Sequence, residues 1–302
     1  MQCKLLTTDT EKFCYAHSPL GWWVKKEKMN KNKLFYQYAY NFLLEKTPDY
    51  INKNIIDSYL VYTSPENNVS SLNNIYERML ASAQSQNMYP KVIGASINGV
   101  HNLGKVLKNF DVEYVIDYYS EKENLLLDDI EKVLKPKGQI RKDSKSLWPK
   151  YCKTIVSTAK FLNQFKDQKE FVQWINNFYN DEKSIAILPF LISTEIYGFG
   201  FALVCDFLKD LGYVNYGKPD VHIKDILLGF GFIKENDSDY NVLKIMIKMS
   251  KDADVTCFEF DRILWLIGSG NFYKHKEFGK NGSIGKLKDE FINTKDEFEK
   301  LA

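Results

Sequence analysis

The chain has 302 residues, 44% of them hydrophobic and 26% charged, with a formal net charge of +2. That length can bury a sizeable core in one large or two modest domains. No apolar run approaches the ~18–20 residues that cross a bilayer, so a membrane-spanning protein is excluded. The opening MQCKLLTTDTEKFCYAH lacks the apolar stretch and small-residue cleavage site of a signal peptide, and a cytoplasmic location, nucleoid-associated in a prokaryote, is expected. Five scattered cysteines with no CxxC pair suit reduced thiols better than a disulfide framework or a zinc site.

The first 70 residues are aromatic and lysine-rich, with WWVKKEKMNKNK at 22–33 as a basic stretch and KLFYQYAYNFLLEK at 33–46 expected to be helical. SLNNIYERMLASAQ (71–84) carries Leu72, Ile75, Met79 and Leu80 at helical spacing, preceded by the capping side chains Asn67, Asn68, Ser70 and Ser71. Residues 91–110 repeat the pattern less cleanly, because three glycines interrupt it. VEYVIDYYS (112–120) is ambiguous between helix and strand.

Charge is then distributed unevenly. Residues 110–131 hold eight acidic residues and one lysine, whereas 132–153 hold eight basic residues and one aspartate. A second short basic stretch follows at 274–288. Clustered lysines either bind phosphate backbones or simply face solvent, and for one cluster alone solvent is the default. YCKTIVSTAKFLNQF (151–165) and KEFVQWINNFYN (169–180) are amphipathic helices. Trp148, Trp174 and Trp265 lie on or beside apolar stripes and are expected in the core. SIAILPFLIST (184–194) is expected to be buried, and DADVTCFEFDRILWLIGSG (252–270) to hold the last core helix. The chain therefore predicts an all-α protein.

IYGFGFALV (196–204) places Gly198 and Gly200 between two helix-like stretches. Glycine permits positive φ and leaves amides uncovered, and bare amides at a helix start can bind phosphate. A dinucleotide fold is excluded: it needs a strand before the turn and a third glycine where Leu203 stands. A phosphate-facing helical turn and a merely tight one both remain. Downstream, Pro219 disfavours helix at Lys218, so Asp220 falls at a helix N-cap ahead of Ile223, Ile226, Leu227 and Phe230. The helix dipole favours its ionised form there. Asp220 is thus a cap, or a fixed anion aimed at a developing positive charge.

Together these segments resemble the helix-hairpin-helix DNA glycosylases, the HhH-GPD superfamily that includes endonuclease III and 8-oxoguanine glycosylase. Their hairpin L-P-G-V-G-x-K-T-A is matched by IYGFGFALV, and their V-D-x-H by PDVHI. LASAQSQN (80–87), WPKYCKTIVSTAKFL (148–162) and FDRILWLIGSG (260–270) resemble further family segments, in order, over about 70–272. The family lysine falls on Ala202, and 220 − 202 gives the 18-residue spacing to the aspartate found in endonuclease III.

The resemblance implies two helical subdomains with the helix-hairpin-helix motif at the cleft between them. Residues 71–212 would form a helical barrel ending in the hairpin (about 184–212). Residues 213–302 would form a second subdomain carrying catalytic Asp220, with 1–70 as a partly helical extension packing on it. It implies a monomer that binds double-stranded DNA containing a lesion or modified base and flips that base out. Gly198, Gly200 and Phe201 would grip a phosphate, and Gln84 would fill the gap in the duplex. Lys142, Lys145 and Lys150 would add electrostatic affinity, with His222 and Lys218 supporting the site. A monovalent cation, Na+ or K+, would sit on hairpin carbonyls near Tyr197 and Gly200.

Departures from the family sharpen the expectation. Ala202 has no amine for a Schiff base, so a monofunctional glycosylase is expected. No cysteine follows Cys257, so the endonuclease III iron–sulfur loop is absent. Tyr197 replaces the hairpin proline. The alternatives are a non-catalytic DNA-binding protein of the same fold, or a glycosylase/AP lyase that uses another lysine. His222 also fits a packed structural role.

Overall fold

The structure, a computed structural model, describes residues 5–6, 13–17 and 23–26 along the backbone and then 30–62, 69–86 and 92–302. Asn67, Asn68 and the end of the LASAQSQN segment lie outside the described residues, as does part of the first basic stretch. Strands β1 (Leu5–Leu6), β2 (Phe13–His17) and β3 (Trp23–Lys26) pair antiparallel in that order. Among the described residues, this small sheet and an isolated bridge between Asn271 and Ser283 are the β-structure in an otherwise helical protein. Strands of two to five residues are too short to print an alternation on the sequence.

From residue 30 onward the described chain is helical. Helices α1 (Lys31–Lys46) and α2 (Lys53–Leu60) come first, each capped by an asparagine side chain, Asn30 and Asn52. Helix α3 (Leu72–Ala83) starts at Ser71, whose hydroxyl accepts from the Asn74 amide. The glycine-interrupted stretch yields only the short α4 (Val92–Ser96) and a 3-10 turn (Val100–Lys105). The ambiguous 112–120 segment is helix α5 (Val112–Tyr119). Asp111 decides it by capping the Tyr114 amide.

Helices α6 (Glu123–Leu134), α7 (Leu147–Leu162) and α8 (Gln168–Tyr179) follow. Then come α9 (Ile187–Glu195) and α10 (Phe201–Asp210), joined by the five residues 196–200. Pro189 is tolerated in the first turn of α9, where its missing N–H is no loss. Ile185, Ala186, Leu188 and Ile192 of the apolar 184–194 segment are buried, whereas Phe190 is exposed. The chain closes with α11 (Val221–Gly229), α12 (Asp239–Asp252), α13 (Cys257–Ser269), α14 (Lys288–Asn293) and α15 (Lys295–Leu301). Thr256 and Glu259 form a reciprocal capping box that fixes the start of α13.

Two apolar cores result. One is built from residues 75–216 with Leu243, around the central helix α7. Two buried tyrosines tie α3 to α7: Tyr76 donates to the Ile155 carbonyl at 2.7 Å and Tyr151 to that of Leu80 at 2.8 Å. The other core joins α1 and α2 to α11–α15. At its centre the Phe35 ring meets Phe230 at 5.0 Å and Phe298 at 5.6 Å between centroids. Trp148 is buried, and Trp174 and Trp265 are partly buried against the first and second core respectively. Among the described residues, no helix is long and apolar enough to cross a membrane.

Candidate active site

The hairpin packs in the first core, and Asp220 caps a helix of the second. In the turn, Gly198 has φ +71°, a left-handed conformation. A Cβ there would also meet Gln86 Oε1 at 2.4 Å and Thr154 Oγ1 at 3.0 Å. The tight turn therefore rests on the buried Gln86 and on α7 and demands glycine on both counts. Gly200 differs: its φ is −62° and nothing lies within 4 Å of an added Cβ. It leaves open space above the start of α10, which has no side-chain cap. The Phe201 and Ala202 amides at that terminus are the ones an anion could reach.

Other parts of the turn are already engaged. The Tyr197 amide donates to Ser157 Oγ at 3.0 Å. The Gly200 carbonyl accepts from both the Leu203 and Val204 amides. A carbonyl has two lone pairs, so one of the two carbonyls expected to hold a monovalent cation is taken up by its own helix. Ala202 stands in the first turn of α10 with no amine to offer.

Asp220 caps α11. Its Oδ1 accepts from the His222 amide at 3.0 Å and the Ile223 amide at 3.3 Å. Its surroundings oppose the helix start. Burial raises its pKa, the Asp261 carboxylate raises it further, and Lys218 and the Ile223 amide only partly offset them. The helix start therefore does not dominate: a second carboxylate, 41 residues away in sequence, opposes it.

That second carboxylate belongs to a buried ionic chain that sequence reasoning missed. Lys209 on α10 is 7% exposed and Asp261 on α13 is 3% exposed. The Lys209 ammonium lies 2.6 Å from Asp261 and 3.3 Å from Asp206, and Lys218 lies 3.6 Å from Asp206. Burial works against charge on Lys209, but the two carboxylates hold its pKa above the ordinary lysine value. For Asp206, burial opposes charge, yet Lys209 and Lys218 hold the carboxyl down at about 2. No single-sequence signal marks this chain, because its partners come from separate helices and a linker.

His222 is wedged against α13, where the Cβ of a non-glycine residue at 268 would meet its Cβ at 2.6 Å. Its Nδ1 is buried without a partner, and burial lowers its pKa despite Asp220 nearby. This packing fits the structural role for His222. Lys218 is paired to Asp206.

A cleft of about 500 Å³ opens between the two cores, within the ~300–1,000 Å³ of small-molecule sites. Its walls include Gln84, Asp206, Lys209, Arg262, Tyr273 and Lys274. Asp220 does not line it and is linked to it through Asp261–Lys209 and Lys218–Asp206. Gln84 is held at its rim, donating to the Ala81 carbonyl and accepting from the Gly94 amide. A larger groove of about 980 Å³ beside α12 holds none of these residues.

The expected electrostatic lysines are unequal. Lys142 is bound by Asp128 at 2.8 Å and Glu131 at 2.6 Å, both on α6. The basic segment thus folds back on the acidic one. Lys145 is exposed and Lys150 half-buried, and neither is in an ion pair among the described residues. Among those residues no cluster of three or more His, Cys, Asp or Glu could hold a metal ion. Cys152, Cys205 and Cys257 are buried free thiols.

No protein-family model matches the chain. Over 122 residues, 38% of its length, the chain is 23% identical to a protein of Korarchaeum cryptofilum named 8-oxoguanine DNA glycosylase/AP lyase. It spans 57% of that relative's length. Among solved structures, the 8-oxoguanine DNA glycosylase of Thermotoga maritima matches with a TM-score of 0.47 and 14% identity, covering 78% of this chain and 99% of that one. The sequence similarity to a named glycosylase agrees with the family resemblance read from the hairpin and the PDVHI motif.

Proposed function

We propose that the chain is a DNA glycosylase that hydrolyses the N-glycosidic bond of a damaged base in double-stranded DNA. One observation carries this reading: the charged neighbours of an aspartate fixed at a helix start, Asp261 and Lys218, are paired to Lys209 and Asp206 of the open-ended hairpin helix, and those two residues line a cleft of base-binding size. The lobes are assigned as 71–212, ending in the hairpin, and 213–302 together with the N-terminal helices. The damaged base swings out of the stack into the cleft. The Phe201 and Ala202 amides hold a backbone phosphate, and Gln84 fills the vacated space. Asp220, ionised, stabilises the positive charge that develops on the sugar and orients water toward C1′. The base leaves with a proton and the sugar keeps the hydroxyl. With Ala202 at the hairpin's amine position, no Schiff base forms there, and the activity is monofunctional. 8-Oxoguanine is the first lesion to test, because the Korarchaeum cryptofilum protein similar in sequence is named for it.

A second reading, a glycosylase/AP lyase, has one observation in its favour. Lys274 lines the cleft, and burial together with Arg262 lowers its pKa below the ordinary lysine value, as an amine nucleophile requires. Lys209 is unsuited, because its carboxylates keep it charged.

Asp220→Asn tests the leading reading cleanly, because asparagine caps helices as well as aspartate does. Single-turnover excision from a lesion duplex should fall at least about 100-fold, as losing a preorganised charge implies, with unchanged duplex affinity and a thermal stability no lower than that of the wild type. Wild-type rate in the variant would refute the catalytic assignment. Strand nicks that require hot alkali support the monofunctional form. Nicks without alkali that vanish in Lys274→Ala support the lyase.

A further inference from the structure

The second basic stretch, 274–288, has no part in the mechanism above. It lies in the loop between α13 and α14, which the fold builds as a closed, anchored unit. Gly270 ends α13 at φ +61°, and a Cβ there would meet the Gly285 carbonyl oxygen at 1.7 Å. Only glycine lets the two ends of the loop approach this closely. Beside this neck the Ile284 amide donates to the Gly270 carbonyl at 2.9 Å, and the Phe272 amide donates to that of Gly282 at 2.7 Å. A 3-10 turn (Lys276–Gly282) forms the tip. The loop is also pinned from outside. Phe272 is buried in the second core. The Tyr50 hydroxyl donates to the Asn281 carbonyl at 3.1 Å, and His275 Nε2 lies 3.1 Å from Ser58 Oγ on α2.

The charge of this loop is one-sided. Residues 271–287 carry Lys274, Lys276, Lys280 and Lys286 against Glu277 alone, and Glu277 is bound to His275 Nδ1 at 2.9 Å. Lys276, Lys280 and Lys286 are exposed. Among the described residues none of the three is in an ion pair, although Lys288 next to them is paired to Asp225 and Lys46 to Glu290. Held in one anchored loop, these like charges repel one another, and an anionic partner relieves that repulsion.

The loop's place selects the partner. At one end Tyr273 and Lys274 line the cleft. At the other, the charges of Lys286 and Lys288 reach His222, two residues from Asp220. The loop thus runs from the second-core wall of the cleft to the start of α11, while α3 and α10 make the first-core wall. Lysines spread from 276 to 286 suit a polyanion better than one small anion. An ammonium binds phosphate as a point charge and reads no sequence.

We propose that the 271–287 loop is a second grip on the DNA backbone, with Lys276, Lys280 and Lys286 taking phosphates across the cleft from the hairpin. The glycosylase reading supplies the choice of partner. The hairpin holds its phosphate through backbone amides in one lobe, and the loop neutralises others through ammonium groups in the other. A duplex held at both places lies over the cleft.

Affinity for an undamaged duplex, measured by fluorescence anisotropy across a salt series, tests this grip. Lys276→Ala, Lys280→Ala and Lys286→Ala should each flatten the slope of log affinity against log salt by about 1, and the triple variant by about 3. The corresponding triple lysine-to-arginine variant should keep the wild-type slope. A methylphosphonate in place of one phosphate removes one backbone charge. Stepped along both strands, it should weaken wild type at some positions where the triple alanine variant is indifferent. Those positions should still matter in Gly200→Leu, which covers the hairpin amides instead and has open space for its side chain. Unchanged slopes in the alanine variants would make the three lysines a solvated face and overturn the proposal. So would loop and hairpin variants that lose sensitivity to the same phosphates. If the triple variant fails to fold, the single variants decide, since each alters one exposed side chain. Neither measurement needs excision. A wild type that excises nothing sinks the glycosylase reading alone, and an active protein with unchanged slopes sinks the grip alone.

Discussion

Asp220 performs two tasks that pull its charge in opposite directions. As a cap it accepts from two amides, which favours the carboxylate. As a half-buried group beside Asp261 it is pushed toward the neutral acid. Its pKa lies above the ordinary aspartate value, so ionising it costs folding stability as pH rises through the interval above that value. The proposed catalytic role needs the ionised form, so activity should be lost on acidification at a pH above the ordinary carboxylate range. Lys218 is the cation that opposes the rise. Lys218→Met removes a cause that lowers the pKa, and the acid limb of the excision pH profile should move to higher pH. A limb that stays in place, or moves to lower pH, would show that Lys218 does not act on Asp220.

At the scale of elements, the acidic helix α6 and the basic segment behind it act as one unit. Lys142 already has two carboxylate partners, so it has little charge left for a DNA backbone. Lys145 and Lys150 keep theirs. In a plot of log affinity for duplex DNA against log salt, Lys145→Ala and Lys150→Ala should each reduce the slope by about 1. Lys142→Ala should change it less. Equal effects of all three would mean that the α6 pairs open when DNA binds. This difference was invisible in the sequence, where all three lysines sit in one run. The Asp220 cap was visible, because Pro219 stops one segment and apolar residues at helical spacing begin the next. The hairpin was visible for the same reason, as two glycines between apolar stretches. Arg262, Lys209 and Asp261 were not, because their roles depend on which helices the fold sets side by side. Asp261 and Arg262 stand inside a segment already singled out for its resemblance, yet adjacency in sequence does not say that one is buried against α10 and the other faces a cavity.

At the scale of the molecule, the second core depends on residues near the very end of the chain. Phe298 is fully buried against Phe35 and Phe230, four residues before Ala302. Phe298→Ala should cost about 3–5 kcal/mol, as large aromatic truncations in cores do, and lower the midpoint of thermal unfolding followed by circular dichroism. A loss under about 1 kcal/mol would place the terminal helices outside the cooperative unit. Helices α1 and α2 supply one wall of this core.

That core has a consequence for how the chain is made. Its first contributors, Phe35 to Tyr59, leave the ribosome long before their partners at 223–298 exist. The first core is nearly contiguous, from Ile75 to Tyr216, and can close while synthesis continues. Helices α1 and α2 must wait with their aromatic faces uncovered until residues 223–298 have been made, because contacts this distant in sequence form late. Any cleft chemistry therefore becomes available only when the last helices dock. A nascent or truncated chain would hold a folded hairpin able to meet a phosphate, but no finished seat for the aspartate.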